Sequence, residues 1–212
     1  MSDGFEVVRT GYDRIGHRYR DWSQGSSVRL RWVQQLLDEL KPGGVVVDLG
    51  CGAGEPATRM LGEQHRVVGV DGSLVQLRLA QEVVPDAALV QADIARLALR
   101  PGSVDAVASF YALGHVPSNQ HSALFQAIAS WLRPGGLLLT SAPLTPGDGT
   151  EANWLGVPMF FGGIGEGATR RAVSAAGLEV ETWEVVEEDE GDGKVVSFLW
   201  LVARRSAGRG CR

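Results

Sequence analysis

An open α/β sheet, doubly wound with helices on both faces, is the fold that this 212-residue sequence predicts. Three observations point there. Short β-branched runs recur with helix-patterned segments between them. The first run closes on a glycine-rich bend, VVDLGCGAG at 46–54. The next two runs each end on an aspartate, Asp71 and Asp93. Strands that alternate with helices of this length are covered on both faces, which makes a domain three layers deep.

The elements follow in order. Residues 1–27 are polar and aromatic, with Tyr12, His17, Tyr19 and Trp22 in a charged setting, and His17 is expected in solvent. Residues 28–40 carry apolar positions at helical spacing and stop at Lys41-Pro42-Gly43-Gly44. A strand is expected at 45–50, a helix at 55–63, a second strand at 66–71 and a helix capped by Ser73 through 84. The third and fourth strands fall at 88–93 and 104–110. A helix over 118–132 is stopped by Arg133-Pro134-Gly135-Gly136, and a fifth strand covers 137–142. Residues 143–163, rich in Gly, Pro and aromatics, read as a loop insertion over a site. A helix at 166–176 ends on Gly177. The last two strands, 178–186 and 195–203, are joined by an acidic turn too short for a crossover helix, so they pair antiparallel at the sheet edge. One domain over 1–212 is expected, with a frayed tail at 206–212.

Composition narrows the function classes. The net charge of -5 argues against a surface that tracks a phosphate backbone. Two cysteines, Cys51 and Cys211, make neither a disulfide framework nor a metal spacing. Without an apolar run of about 18 residues, no membrane span is expected, and the chain reads as cytoplasmic. Only Lys41 and Lys194 among the 20 basic residues are lysine, an arginine bias that suggests a GC-rich bacterial genome.

The bend at 50–54 joins the first strand to the first helix of the sheet. Glycine lets backbone turn tightly and approach a ligand closely, and a helix start adds unpaired N–H groups. The spacing is G-x-G-x-G, so no pyrophosphate-binding G-x-G-x-x-G can be placed on it. Asp48 precedes the glycines and can meet a ligand ammonium or position the loop. Asp71, followed by Gly72-Ser73, stands where a carboxylate accepts both hydroxyls of a ribose. Asp93-Ile94 can bond an adenine amino group and pack its face.

VVDLGCGAG, the acid in VVGVDGS, Ala92-Asp93, VDAVASF and LRPGGLLL together resemble the class I S-adenosylmethionine (SAM)-dependent methyltransferases over about residues 10–205. The resemblance implies a Rossmann-like seven-stranded sheet of order 3-2-1-4-5-7-6 with strand 7 antiparallel. It implies SAM as cofactor and S-adenosylhomocysteine as product. Gly50, Cys51 and Gly52 would pass the methionine moiety, Asp71 the ribose and Asp93-Ile94 the adenine. In relatives with a similar Tyr-Asp…Tyr entry, tyrosines such as Tyr12 and Tyr19 close over the cofactor, which makes 1–27 a lid segment. FYALGHVP and WLGVPMFF are similar to stretches of small bacterial methyltransferases that modify metabolites or natural products, although Gly162-Gly163 departs from them.

Ligands bind at the carboxyl ends of the strands of such a sheet. Ser109-Phe110-Tyr111-Ala112-Leu113-Gly114-His115 leaves the fourth strand there, so Ser109 and Phe110 are expected at the cofactor. His115 is the candidate base and Tyr111 a lesser one. Trp154, Met159 and Phe160, in an unusually apolar stretch, are candidate walls of an acceptor pocket. Glu184, Glu187, Glu188, Asp189, Glu190 and Asp192 read as solvated charge that protects a sheet edge, because alternate strand residues splay apart and do not converge on a metal. Cys51 is not expected to act as a nucleophile. The function expected is methyl transfer to an O, N or S atom of a small molecule, without nucleic acid or membrane partners, by a monomer or homodimer. A SAM-binding regulator without chemistry and a nicotinamide oxidoreductase are the alternatives, the latter disfavoured by the absent third glycine.

Overall fold

The computed structural model describes residues 4–23, 26–189 and 194–207. The expected acidic positions Glu190 and Asp192, and Cys211 with the rest of the tail from 208, lie outside them. Among the described residues, no helix is long and apolar enough to cross a membrane.

Helix α1, Gly4–Ser23, precedes α2, Ser27–Glu39, which Ser26 caps by accepting the Arg29 N–H at 3.2 Å. The sheet then builds through β1 (Val45–Leu49), α3 (Ala57–Gly62), β2 (Arg66–Asp71), α4 (Leu74–Val83), β3 (Ala88–Gln91) and β4 (Val104–Ser109). Two short 3-10 turns, Ala112–His115 and Ser118–Gln120, lead to α5 (His121–Trp131) and β5 (Leu132–Pro143). After β6 (Pro146–Trp154) and β7 (Val157–Ile164) come α6 (Gly165–Ala175), β8 (Leu178–Asp189) and β9 (Val195–Arg205).

The main sheet has seven strands in the order β3-β2-β1-β4-β5-β9-β8. Its first five strands pair parallel, and β9 runs antiparallel between β5 and β8. This is the order expected from the sequence once β6 and β7, which form a separate two-stranded sheet, are taken out of the count. The core has two halves, one on each face. Trp32 of α2 stacks on Trp200 of β9, with centroids 5.4 Å apart and planes 8° from parallel, on one face. Leu124, Phe125 and Ile128 of α5 pack on the other.

Residues 143–163 depart from the expected loop. They form an antiparallel hairpin whose two-residue turn holds Leu155 at φ 48 and Gly156 at φ 85. Two successive positive φ values match the right-handed twist of the flanking strands. β6, PGDGTEANW, is poor in strand formers, so the pairing is imposed by β7 and by what β7 packs against. β5 also starts earlier than expected, at Leu132, because Leu132 pairs with Val104 before the register shifts and Leu137 pairs with Ala106.

Helix α1 lies across the carboxyl end of the sheet, held by two glycines. A Cβ at Gly11 would stand 2.7 Å from Met159 Cε, and one at Gly16 would stand 2.6 Å from Val75 Cγ1. Neither position has room for a side chain, so α1 meets β7 and α4 at backbone distance.

Candidate functional site

The carboxyl ends of β1, β2 and β4 surround a narrow cleft roofed by α1. Gly50, at φ 74, begins the bend, and a Cβ there would run into Ala112 Cβ. Asp71 closes β2. Its Oδ2 accepts the Gly52 N–H at 2.9 Å and its Oδ1 accepts the Ser73 N–H at 2.8 Å. Burial nevertheless pushes this carboxyl up to about 6, against those backbone bonds. The Asp13 carboxylate nearby raises it further.

Tyr12, Tyr19, Gly50, Gly52, Asp71, Gly72, Ser73, Asp93, Ile94 and Phe110 line this cleft, as do Tyr111 and His115. Asp93 lies just past β3, where its Oδ1 accepts the Ala95 N–H at 2.9 Å. Three other expected cofactor residues do not face the cleft. Asp48 is 2% exposed and its Oδ2 accepts the Thr58 hydroxyl at 2.7 Å; burial pushes this carboxyl up to about 6 as well. It fixes the start of α3 beneath the bend. The Cys51 sulfur fills the space above Gly69, and burial raises its thiol well above the ordinary range. Ser109 is fully buried in β4 with no partner for its hydroxyl.

Three further features of the cleft leave no mark in the residue pattern. Phe5 presses its ring on Gly72, where a Cβ would sit 2.9 Å from Phe5 Cε2. Gln76 is fully buried; its Nε2 donates to the Gly16 carbonyl at 3.2 Å, and its Oε1 has no donor. Asp13 accepts the Ser73 hydroxyl at 2.6 Å. A small residue in a helix facing another helix start was the only available signal, and glycine in α1 carries it.

A larger groove of about 1400 Å³ opens beside the cleft and shares Tyr12, Tyr19, Tyr111 and His115 with it. His115 Nδ1 lies 2.9 Å from the Phe160 carbonyl, and its Nε2 lies 2.8 Å from the Tyr12 hydroxyl. The carbonyl can only accept, so Nδ1 carries the proton and Nε2 accepts from Tyr12. Burial lowers this imidazole to about 4, so it is neutral across the ordinary pH range. Tyr111 adopts φ 62, ψ -7, a left-handed conformation costly for a bulky residue. Its N–H donates to Ser141 Oγ at 2.7 Å and its hydroxyl to Glu188 at 2.6 Å, while Arg29 stands over its ring at 4.8 Å. Burial and Glu188 push the phenol well above its usual range, so Tyr111 keeps its proton.

Trp154 lines the groove, but Met159 and Phe160 do not. Met159 is fully buried under Gly11 of α1, and the Phe160 ring packs against Gly4. Phe161 takes the place at the groove that the sequence reading gave them. The described part of the acidic run lies on the edge strand β8 with Glu187 and Asp189 exposed, as expected, but Glu188 departs from that reading. Glu188 holds Tyr111 and accepts from Ser26, and Glu184 pairs with Arg31 at 3.1 Å. Among the described residues, no three His, Cys, Asp or Glu side chains converge as a metal site.

Residues 46–136 match the family model for a methyltransferase domain. The trans-aconitate 2-methyltransferase of Azoarcus sp. (strain BH72) is 37% identical over 120 residues, covering 54% of this chain and 46% of that protein. The ubiquinone biosynthesis O-methyltransferase of Cupriavidus pinatubonensis is 35% identical over 119 residues, with the same shares. The match thus spans about half the length of these curated relatives. The fold is shared with the Burkholderia thailandensis 1,6-didemethyltoxoflavin-N1-methyltransferase, solved with its acceptor and S-adenosylhomocysteine; the TM-score is 0.72 at 22% identity, over 97% of this chain and 92% of that one. With the match over 46–136, the chain carries a methyltransferase domain, and its seven-stranded order and glycine bend are similar to those of the class I SAM-dependent methyltransferases.

Proposed function

We propose that this chain binds SAM in the cleft under α1 and transfers its methyl group to an O, N or S atom of a small molecule held in the adjoining groove. The observation that carries this reading is Asp71: a half-buried carboxylate at the cleft, pushed up to about 6 by desolvation, whose two oxygens accept the Gly52 and Ser73 N–H groups. A carboxylate has about four lone-pair sites, so two remain for hydroxyl donors. A ribose diol supplies such donors without adding charge. The unpaired Gln76 Oε1 is a second acceptor in want of a donor. The residues present therefore fit an adenosyl group.

SAM supplies an activated methyl on a positive sulfur. The chain's own residues hold and align. Gly50 and Gly52 leave backbone bare beside the methionine moiety, Asp71 grips the ribose, and Asp93-Ile94 flank the adenine. Tyr12 and Tyr19, with centroids 4.8 Å apart, cover the cofactor from α1. His115, neutral, offers Nε2 to the proton of the acceptor when the Tyr12 hydroxyl turns off it; an imidazole this weak holds that proton by hydrogen bonding until the new bond forms. Tyr111 keeps its proton and serves as a wall of the groove.

The cleft itself is small, about 80 Å³, against the roughly 300–1000 Å³ usual for ligand sites. Phe5 and Tyr12 take up the space, so α1 shifts outward when the cofactor enters. Calorimetry with S-adenosylhomocysteine tests the reading. Binding is expected, and folded protein that gives no heat would remove it.

A further inference from the structure

The groove's chemistry selects among acceptors. Its mouth toward the cofactor cleft is formed by Tyr12, Tyr19, Tyr111 and His115. Behind the mouth stands an aromatic wall. Tyr12 meets Trp154 at 5.8 Å, Tyr19 meets Trp154 at 5.9 Å, Trp22 meets Trp154 at 6.0 Å, and Phe161 meets His115 at 5.1 Å. Aromatic rings attract one another at centroid separations of about 4.5–7 Å, beyond the gain from buried area. Trp154 is itself buried, so a flat ring entering the groove meets the half-buried Tyr19 and Phe161 and the exposed Trp22 that it supports.

The charges point the same way. Among the described residues, five carboxylates border the groove, those of Asp148, Glu151, Glu187, Glu188 and Asp189, against two cations, Arg29 and Lys194. Arg29 already lies over the Tyr111 ring, and Lys194 is exposed at the rim. An acceptor bearing several carboxylates would meet like charge along the groove. A cationic ring would gain from both the carboxylates and the aromatic faces.

We propose that the groove takes a flat aromatic or heteroaromatic acceptor, uncharged or cationic, and rejects polycarboxylates. This rests on the reading of the cleft as a SAM site. It separates this chain's acceptor from the tricarboxylate that the name of one relative implies.

The test uses the full chain saturated with S-adenosylhomocysteine, so that the cofactor reading is checked first and separately. Quinoline, 2-naphthol and the N-methylquinolinium cation are titrated alongside trans-aconitate, with tryptophan fluorescence as the readout because Trp22 and Trp154 stand in the wall. The flat probes are expected to bind at least tenfold more tightly than trans-aconitate, the cation best of all. Glu151→Lys with Glu187→Lys, both exposed, is expected to reduce the preference for the cation over 2-naphthol severalfold. If trans-aconitate binds as well as the rings, or no ring binds while S-adenosylhomocysteine does, the acceptor proposal falls and the cofactor reading stands. If S-adenosylhomocysteine itself does not bind, both fall.

Discussion

The Tyr12 hydroxyl stands 2.8 Å from His115 Nε2, and this bond ties α1 to the turn that leaves β4. The Phe160 carbonyl on the other side of the ring sets the tautomer, and burial holds the imidazole at about 4. Nitrogen-15 NMR of the histidine rings is therefore expected to show an unprotonated Nε2 for His115 from pH 8 down to about pH 5. Tyr12→Phe should move the Nε2 resonance and leave Nδ1 in place. A His115 that titrates near the ordinary value of about 6.5 would contradict the geometry.

Asp71 is expected to dominate cofactor affinity. A hydrogen bond to a charged group contributes about 1.5–3 kcal/mol, so Asp71→Ala should weaken S-adenosylhomocysteine about 10- to 100-fold. The carboxylate must be ionised to accept both hydroxyls, and it protonates at about 6 in the free protein. Wild-type affinity should fall as the pH drops below 6, and the variant should lose that dependence. Calorimetry from pH 5 to 8 measures both, and a variant with wild-type affinity would refute the assignment.

Asp48 does not line the cleft, so its effect should appear in stability alone. Burial pushes its folded value up to about 6, above the ordinary carboxylate value of 3.8. The folded chain therefore holds this proton more tightly than the unfolded chain does. The stabilisation is complete below about pH 3.8 and is lost as the pH rises through 6, a change of about 3 kcal/mol at about 1.4 kcal/mol per unit. Asp48→Asn keeps an oxygen for Thr58 and abolishes the ionisation. The variant should be more stable than wild type at pH 8, and its advantage should shrink by about 1 kcal/mol at pH 5, read from denaturant midpoints. An advantage that does not change with pH would exclude a buried ionised Asp48.

These two aspartates also show how far the sequence could be read. Asp71 was legible because it ends a β-branched run just before a helix cap, a place where only a few roles exist. Asp48 was legible as important but not in direction. Strand alternation is regular, yet nothing in five residues says which face turns from the ligand. Phe160 failed for the same reason, since its neighbour Phe161 faces the groove, whereas Met159 is covered by Gly11 of α1. Glu188 looks like solvent charge in the sequence because its partner Tyr111 lies 77 positions away. The β6 hairpin was invisible because its pairing is set by β7 and α1, not by its own propensity.

Gly50 combines two demands. A left-handed residue other than glycine costs about 1–2 kcal/mol, and overpacking against Ala112 costs about 1–3 kcal/mol. Gly50→Ala should therefore destabilise the fold by about 2–5 kcal/mol and weaken S-adenosylhomocysteine. Adding Ala112→Gly removes the collision but not the strained φ, so the double variant should recover only part of the loss. Full recovery in thermal melts would show that the backbone angle at 50 carries no strain.

The last expectation concerns α1 as a moving roof. The cleft is too small for an adenosyl group while Phe5 rests on Gly72 and α1 is bonded to the start of α4 through Asp13–Ser73 and Gly16–Gln76. A Cβ built at Gly16 lies 3.8 Å from Val75 Cβ, close to the mean of about 3.8 Å found in disulfides. Gly16→Cys with Val75→Cys should therefore form a bond that pins α1 to α4. Since Val75 must give way in any case, its replacement also relieves the contact that a new side chain at 16 would make. Oxidised protein should bind S-adenosylhomocysteine at least tenfold more slowly in stopped flow, and a reductant should restore the wild-type rate. Each single variant controls for the loss of a glycine or a valine alone. Equal association rates for the oxidised and reduced forms would mean that the cofactor enters without moving α1 at this point, with the roof opening only through side chains such as Phe5.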